Sequence, residues 1–353
     1  MALPEIAEIR SDIEVELRRF IADRTTALIE VDSHLAPVAA ALSDYILDGG
    51  KRFRPLFAYL GYLGAGGQPN KSALRACTAL ELVHVCALIH DDLMDGSDAR
   101  RNQPSIHKRF ENFHSSNNYS GASERFGAAA AILLGDLALS WSDQMLQQSA
   151  LDLELSQALP VFYSMREELM AGQYLDVLEG ALGKSNKARS LKVAEYKSGK
   201  YSIERPLHFG AALAGALDDF QEIYSEFGIP LGVAFQLRDD LLGVFGDEKV
   251  TGKPSGDDIR EGKRTVLIAL AQERLSQPQI AQLESFLGGI GLGPADIQTA
   301  QKLIEDSGAR IECEQIIEEK FQDALAALSH QSLPLEVAKY LATMAQLATK
   351  RSS

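Results

Sequence analysis

The chain has 353 residues, 46% apolar and 24% charged, enough to bury a large core and too apolar for a disordered chain. With 49 acids against 35 lysines and arginines its formal charge is −14, which argues against general binding to DNA or another polyanion, so any phosphate site must be a local basic cluster. The three cysteines, Cys77, Cys86 and Cys313, are too few and scattered for a disulfide framework or a zinc site and read as small buried hydrophobes in a reducing compartment.

No linker composition divides the chain, so a single domain over 1–353 is the simplest expectation. No stretch approaches the ~18 consecutive apolar residues of a membrane span, Ala128 to Leu134 being interrupted by Gly135 and Asp136. The N-terminus lacks the basic-then-apolar order of a signal peptide. The expectation is a soluble cytoplasmic protein.

Helical periodicity begins at Ile6 to Ile29 and repeats over Ala36 to Leu47. The second segment stops at Asp48-Gly49-Gly50 and leads into Lys51-Arg52-Phe53-Arg54-Pro55. Glycine lets the backbone approach an oxyanion and the three cations supply donors, which makes this a candidate anion cradle. Leu56 to Leu63 and Ser72 to His90 continue as helices.

The last of these ends in His90-Asp91-Asp92-Leu93-Met94-Asp95. One turn of helix separates Asp91 from Asp95, so they share a face while Asp92 is rotated aside. The run before them is apolar apart from His84 and His90, so these carboxylates are expected at a cavity rather than on an open surface. Hard oxygen ligands at this spacing suit Mg²⁺, which is usually held by one or two carboxylates plus a substrate's phosphates. The next loop carries Arg100 and Arg101, two planar forks suited to phosphate oxygens. From Lys108 to Gly127 the chain is polar and reads as a mobile excursion or flap.

Helical patterns then run over Ala128 to Gln148, Leu153 to Leu182, Leu191 to Leu217, Asp219 to Gly246, Val266 to Leu275 and several segments from Ile280 to Lys350. Pro160 and Pro206 are expected to kink or divide two of them. No stretch shows period-two alternation, so the fold class is all-α, a helical bundle. Polar groups recur inside the pattern at Gly172-Gln173-Tyr174-Leu175-Asp176 and at Lys197-Ser198. A second Asp-Asp pair closes Phe235-Gln236-Leu237-Arg238-Asp239-Asp240, and the following loop, Thr251 to Arg264, mixes glycine, lysine and aspartate as a closing phosphate lid does.

Taken together, GGKRFRP, DDLMD followed by RR and PSIH, GQYLD, KS, FQLRDD, and GKPSGDD with GK occur in one order from Gly49 to Lys263. This set resembles the trans-isoprenyl diphosphate synthases of the polyprenyl synthetase family, and is most similar to bacterial geranylgeranyl diphosphate synthases. The resemblance implies a single large isoprenoid-synthase bundle around a central cavity and a homodimer. It implies a transferase of prenyl groups that condenses isopentenyl diphosphate head-to-tail with dimethylallyl, geranyl or farnesyl diphosphate, giving a trans product, here geranylgeranyl diphosphate.

It further implies that Asp91, Asp95 and Asp239 bind Mg²⁺. By the same resemblance Arg100, Lys197, Gln236, Lys253 and Lys263 hold the allylic diphosphate, and Lys51, Arg54, His84 and Arg101 hold isopentenyl diphosphate. Gln173 and Ser198 face the carbocation, with Lys197 and Gln236 part of the same catalytic set. Asp92 and Asp240 act as supporting partners. Three positions depart from the family pattern: Gly243 stands where many members have a third aspartate, Ser198 where threonine is common, and Asn102 where glycine usually follows the arginine pair.

A longer-chain polyprenyl synthase and a subunit of a heteromeric synthase are the alternatives within the family. A terpene cyclase shares an aspartate-rich motif but has no need of a second diphosphate cradle at Lys51 and Arg54. An aromatic ring four or five residues before Asp91 blocks the product path in relatives that stop early. Here Ala87 and Cys86 occupy those positions, which favours twenty carbons or more over fifteen.

Overall fold

The computed structural model describes residues 3–247 and 255–350. It is 80% helical with almost no sheet, as the periodicity predicts. Packing contacts divide the chain into two compact units, Met1–Val161 with Pro206–Phe220, and Phe162–Arg205 with Gln221–Ser353.

The first unit opens with α1 (Ile6–Val31), whose Ile9, Ile13, Leu17 and Phe20 recur at helical spacing and are all buried. A short 3₁₀ turn (Ser33–Leu35) leads to α2 (Ala36–Leu47) and then to α3 (Phe53–Gly64), from which every residue but Arg54 is buried. Next comes α4 (Lys71–Asp95), started by Asn70, whose side chain accepts from the Ser72 amide at 2.7 Å. By length and composition α4 is apolar enough to cross a membrane, but 72% of its apolar window is buried, as befits a core helix. It packs on α1, α3 and α6 (Ser123–Gln147).

Between α4 and α6 lie a two-residue hairpin, β1 (Ala99–Arg100) with β2 (Gln103–Pro104), and α5 (Ile106–Ser116). The polar stretch expected to be a mobile excursion is thus largely helical. Phe110, Phe113 and His114 cluster with Tyr119 and Phe126 at centroid distances of 5.2–6.4 Å, and this aromatic cluster holds α5 on α6. Within the hairpin, Arg101 and Asn102 have φ of 53° and 60°. Asparagine tolerates that region better than most residues, which accounts for its standing in glycine's place.

Helix α7 (Asp152–Leu182) begins in the first unit and continues into the second, running through Pro160 without a break. The segment read as one helix from Leu191 is three: α8 (Lys187–Val193), a π-helix (Ala194–Glu204) and α9 (Arg205–Leu213). The Arg205 amide donates to the Lys200 carbonyl, five residues back, and Pro206 has no N–H with which to continue an α pattern. After α9, which belongs to the first unit, α10 (Leu217–Phe245) carries the chain back into the second. That unit is completed by α11 (Asp257–Glu261), α12 (Val266–Arg274), α13 (Gln277–Phe286), α14 (Pro294–Asp306), α15 (Ala309–Ala327) and α16 (Leu335–Thr349). Its core joins Leu237, Leu241 and Val244 of α10 to Ile259, to Val266, Leu267, Ile268, Leu270 and Ala271 of α12, and to Ile297, Ile304 and Ile317. Among the described residues no disulfide forms, and Cys77, Cys86 and Cys313 are all buried.

Candidate active site

The candidate residues fall into one group in each unit. In the first unit they are arranged along one face of α4. His84, Ala87, Leu88, Asp91 and Asp95 are only partly buried, while Val83, Val85, Cys86 and Ile89 between them are buried. Spacings of three, four and seven residues make the partly open set a single stripe, with His84 about 10 Å along the axis from Asp91. Cys86 lies off it, with Sγ 3.7 Å from Nδ1 of His90, whose Nε2 meets the Ile132 carbonyl of α6 at 3.2 Å.

Asp92 points the other way and is fully buried. Its carboxylate accepts from Arg100 Nε at 2.8 and 2.9 Å, from Arg100 Nη2 at 2.6 Å and from the Tyr45 hydroxyl at 3.1 Å. Arg100 also lies 3.9 Å from Asp91. Burial alone would lower the Arg100 pKa, but Asp92 outweighs it and the guanidinium is held firmly charged. Asp92 is therefore a support for Arg100, and Arg100 a link between the carboxylate pair and the hairpin.

The basic loop resolves into different roles. Gly49 and Gly50 have φ of 72° and 117°, a backbone region that favours glycine, and a Cβ on Gly50 would come within 3.2 and 3.3 Å of Arg52 Nη1 and Arg101 Nη2. Arg101 Nη1 donates to the Asp48 carbonyl at 3.1 Å, and Arg10 to that of Gly50 at 2.9 Å. Arg52 is not a cradle cation. It is 2% exposed, adopts φ 52°, and donates to Glu14 and Glu81 at 2.7 Å each and to the Ile46 carbonyl at 2.8 Å. Lys51, by contrast, is exposed, its ammonium 5.6 Å from the Phe53 ring centroid, and Arg54 is partly exposed.

His84 sits within reach of these charges. Burial, reinforced by Arg54, Arg101, Arg100 and Arg52, holds its imidazole well below the ordinary histidine range. A neutral imidazole ringed by guanidinium groups, on the same helix face as two carboxylates, can receive an anion on one side and a divalent cation on the other. Asp91 and Asp95 offer hard oxygens one turn apart, which fits an ion that completes its shell with phosphate oxygens and water.

In the second unit, glycines bring three helices to backbone contact. A Cβ on Gly172 would lie 2.6 Å from the Lys197 amide, and one on Gly232 would lie 2.0 Å from Gly199 Cα. This packing sets the π-helix against α7 and α10. Lys197 Nζ donates to Asp176 at 2.6 Å, three residues beyond Gln173 on α7. The Ser198 hydroxyl donates to Oε1 of Gln236, and Gln236 Nε2 donates to Asp240 at 2.7 Å. Asp240 is buried; that burial, with Asp258, Asp239 and Asp176 nearby, pushes its carboxyl well above the usual range despite the Gln236 bond. Asp239 beside it is partly exposed. Lys263 lies 2.8 Å from Glu261 and 3.8 Å from Asp258. Lys253 lies outside the described residues.

Asp176 and Asp258 are the residues that motif reading left without a role. The i,i+3 spacing of Gln173 and Asp176 was a signal for the first; the second closes the GKPSGDD motif, in which that aspartate was given no role.

The Polyprenyl synthetase family model matches residues 36–305, most of the chain and parts of both units. A geranylgeranyl pyrophosphate synthase from Corynebacterium glutamicum, crystallised with isoprenyl diphosphate and magnesium, superimposes with a TM-score of 0.95 at 38% identity, covering 99% of this chain and 100% of that one. The geranylfarnesyl diphosphate synthase of Aeropyrum pernix is 33% identical over 74% of this chain and 77% of its own. The geranylgeranyl diphosphate synthase of Sulfolobus acidocaldarius is 28% identical over 95% of both. The helical architecture, the two acidic helix ends and these likenesses agree, and the chain belongs to the polyprenyl synthetase family, as a prenyltransferase of the isoprenoid-synthase fold.

Proposed function

We propose that this chain, acting as one polyprenyl synthetase domain, condenses isopentenyl diphosphate with allylic diphosphates to give geranylgeranyl diphosphate. The observation that carries this reading is the α4 stripe in the first unit. An acidic pair suited to a metal-bound diphosphate shares one helix face with His84, which lies among the arginines of a cation cluster suited to a second diphosphate; a substrate pair needs both and a single-substrate cyclase does not. The Corynebacterium relative crystallised with isoprenyl diphosphate and magnesium supports the same ligands here.

Asp91, Asp95 and Asp239 would hold Mg²⁺, which when bound neutralises and orients the departing diphosphate. Lys51, Arg54 and Arg101 bind isopentenyl diphosphate, with His84 donating as a neutral imidazole rather than as a fourth positive charge. Arg100, fixed by Asp92, and Lys197, Gln236, Lys253 and Lys263 hold the allylic diphosphate. Breaking the allylic C–O bond leaves a carbocation and pyrophosphate; the isopentenyl double bond attacks the cation, forming a C–C bond, and the departing pyrophosphate takes a proton from the new cation to leave the double bond of the lengthened diphosphate. The Ser198–Gln236–Asp240 chain aligns its oxygens toward that positive charge, Gln173 beside it, in a preorganised arrangement that water could not supply. No side-chain nucleophile is required.

Product length follows from Ala87, which keeps the partly open face of α4 narrow in side chain one turn before Asp91. Twenty carbons is the proposed length, and the geranylfarnesyl relative favours a longer chain as the second reading. We place the enzyme in the cytoplasm as a homodimer. Incubating the purified chain with Mg²⁺, isopentenyl diphosphate and each allylic primer, then chromatographing the dephosphorylated alcohols, tests the proposal. Geranylgeraniol as the main product is expected; a cyclised hydrocarbon, or no elongation with any primer, would overturn it.

A further inference from the structure

Helix α1 lies before the residues 36–305 that the family model matches, yet it grips the loop that carries Lys51. Arg10 and Glu14 stand one turn apart on α1, each next to a buried isoleucine, Ile9 and Ile13, and so share a face. Arg10 Nη2 donates to the Gly50 carbonyl at 2.9 Å, and Glu14 Oε1 accepts from Arg52 Nε at 2.7 Å. Gly50 and Arg52 are the two chain neighbours of Lys51. The exposed lysine is therefore held on both sides from a single turn of helix.

The hold on Arg52 is backed by two further helices. Its φ of 52° and ψ of 36° place it in the left-handed region, which a residue with a Cβ seldom adopts. Besides Glu14, its buried guanidinium donates through Nη1 to Glu81 of α4 at 2.7 Å and through Nη2 to the Ile46 carbonyl at the end of α2 at 2.8 Å. Bonds to three helices fix a conformation that the backbone alone would leave, and that conformation ends the loop and starts α3, where Arg54 stands two residues on. Upstream, Arg101 takes the Asp48 carbonyl at 3.1 Å. Residues 48, 50 and 52 are thus each secured, with Lys51 presented between two of them. Helix α1 can serve as the fixed side of this clamp because it is itself anchored: Glu16 accepts from Arg75 of α4 at 2.8 Å, and Arg24 donates to Gln144 of α6 at 3.1 Å.

We infer that α1 is part of the isopentenyl diphosphate site, with Arg10 and Glu14 as positioning residues that set Lys51 and, through Arg52, Arg54. The inference rests on the assignment of Lys51 and Arg54 to that diphosphate in the reading above. A lysine side chain is long and loses much rotamer freedom on binding, so its contact is worth most where the backbone beneath it is already fixed. Loosening the clamp should therefore weaken this one substrate and leave the chemistry alone.

The test is titration calorimetry of isopentenyl diphosphate into the full chain in EDTA, alongside melting curves and steady-state kinetics. Arg10→Ala and Glu14→Ala are each expected to weaken binding about three- to tenfold, and the double variant tenfold or more, the loss of one and then both clamp bonds. The KM for isopentenyl diphosphate should rise in parallel, with kcat and the KM for the allylic substrate within twofold of wild type. Arg10→Lys, which keeps a donor for the Gly50 carbonyl, is expected to bind within twofold of wild type. Glu16→Ala is the matched control: it removes an ion pair of the same helix away from the loop, and should lower the melting temperature about as much as Glu14→Ala while binding within twofold of wild type. Should the double variant melt too low to titrate, the single variants carry the same comparison. Wild-type binding by both Arg10→Ala and Glu14→Ala, or equal weakening by Glu16→Ala, overturns the inference. Lys51→Ala, titrated in parallel, separates the two levels. If it binds normally, the cradle assignment fails and the inference with it; if it loses binding while the α1 variants do not, only the role of α1 fails.

Discussion

Adjacent aspartates on α4 should respond to truncation in opposite ways. Asp91 and Asp95 are partly open on a face where like charges repel, so Asp91→Ala is expected to abolish turnover and leave stability unchanged or slightly raised. Asp92 is fully buried and holds Arg100 through both carboxylate oxygens at 2.6 to 2.9 Å, with the Tyr45 hydroxyl also donating to Oδ2. Breaking a buried pair by removing one partner costs roughly 3–5 kcal/mol. The Arg100 side chain is 19% exposed and Asp91 stands 3.9 Å away, so part of that is recovered by water and by the neighbouring carboxylate. A loss of about 3 kcal/mol remains, which corresponds to about 4 to 8 °C in Tm, depending on whether the whole chain or the first unit alone melts cooperatively. Circular dichroism melts of Asp91→Ala and Asp92→Ala side by side measure the difference. Equal stability of the two variants would refute the division into a face that holds ligand and a face that holds the helix end.

Lys51→Ala should raise the KM for isopentenyl diphosphate about ten- to a hundredfold while moving that for the allylic substrate little, because it removes one charged contact from one site; equal shifts in both would count against separate cradles. His84 is held below the ordinary value of 6.5 by burial and four arginines, so it should be neutral at pH 6.5 in imidazole NMR of the apo chain. Because the unfolded chain then binds more protons, stability from this group falls as pH drops below 6.5, and His84→Gln should flatten that fall; a His84 half protonated at pH 6.5 would contradict the burial. Ala87→Phe places a ring on the partly open face one turn, about 5.4 Å, before Asp91, and should shorten the product toward farnesyl diphosphate; an unchanged product with activity retained would show that the chain grows elsewhere.

Most helices were legible because each carries a buried stripe at a period of 3.6, and α2 ends where its glycine pair says it should. What escaped was set by contacts distant in sequence. The segment from Ile106 to Ser116 has a loop's composition, and its helix is secured by aromatic packing against Phe126 that no local pattern announces. The π-helix holding Lys197 and Ser198 depends on glycine contacts with α7 and α10 and on Pro206 beyond it. Arg52 reads as one of three loop cations, yet its acids stand 38 residues before and 29 after it, on α1 and α4. The site motifs were legible as a set. Helix spacing already set Asp92 apart from Asp91 and Asp95, whereas the inward turn of Arg52 and the outward turn of Lys51 came from burial alone.

The central claim is that the chain holds two diphosphates in two chemically distinct places, and binding without turnover tests it directly. Titration calorimetry should show isopentenyl diphosphate binding in the presence of EDTA, weakened at least tenfold by Arg54→Ala and unaffected by Asp91→Ala. Inorganic pyrophosphate should bind only with Mg²⁺, and should be lost in Asp91→Ala while surviving Arg54→Ala. If both ligands require the metal, or if each variant weakens both ligands alike, there is one diphosphate site and the account of condensation on this chain is wrong.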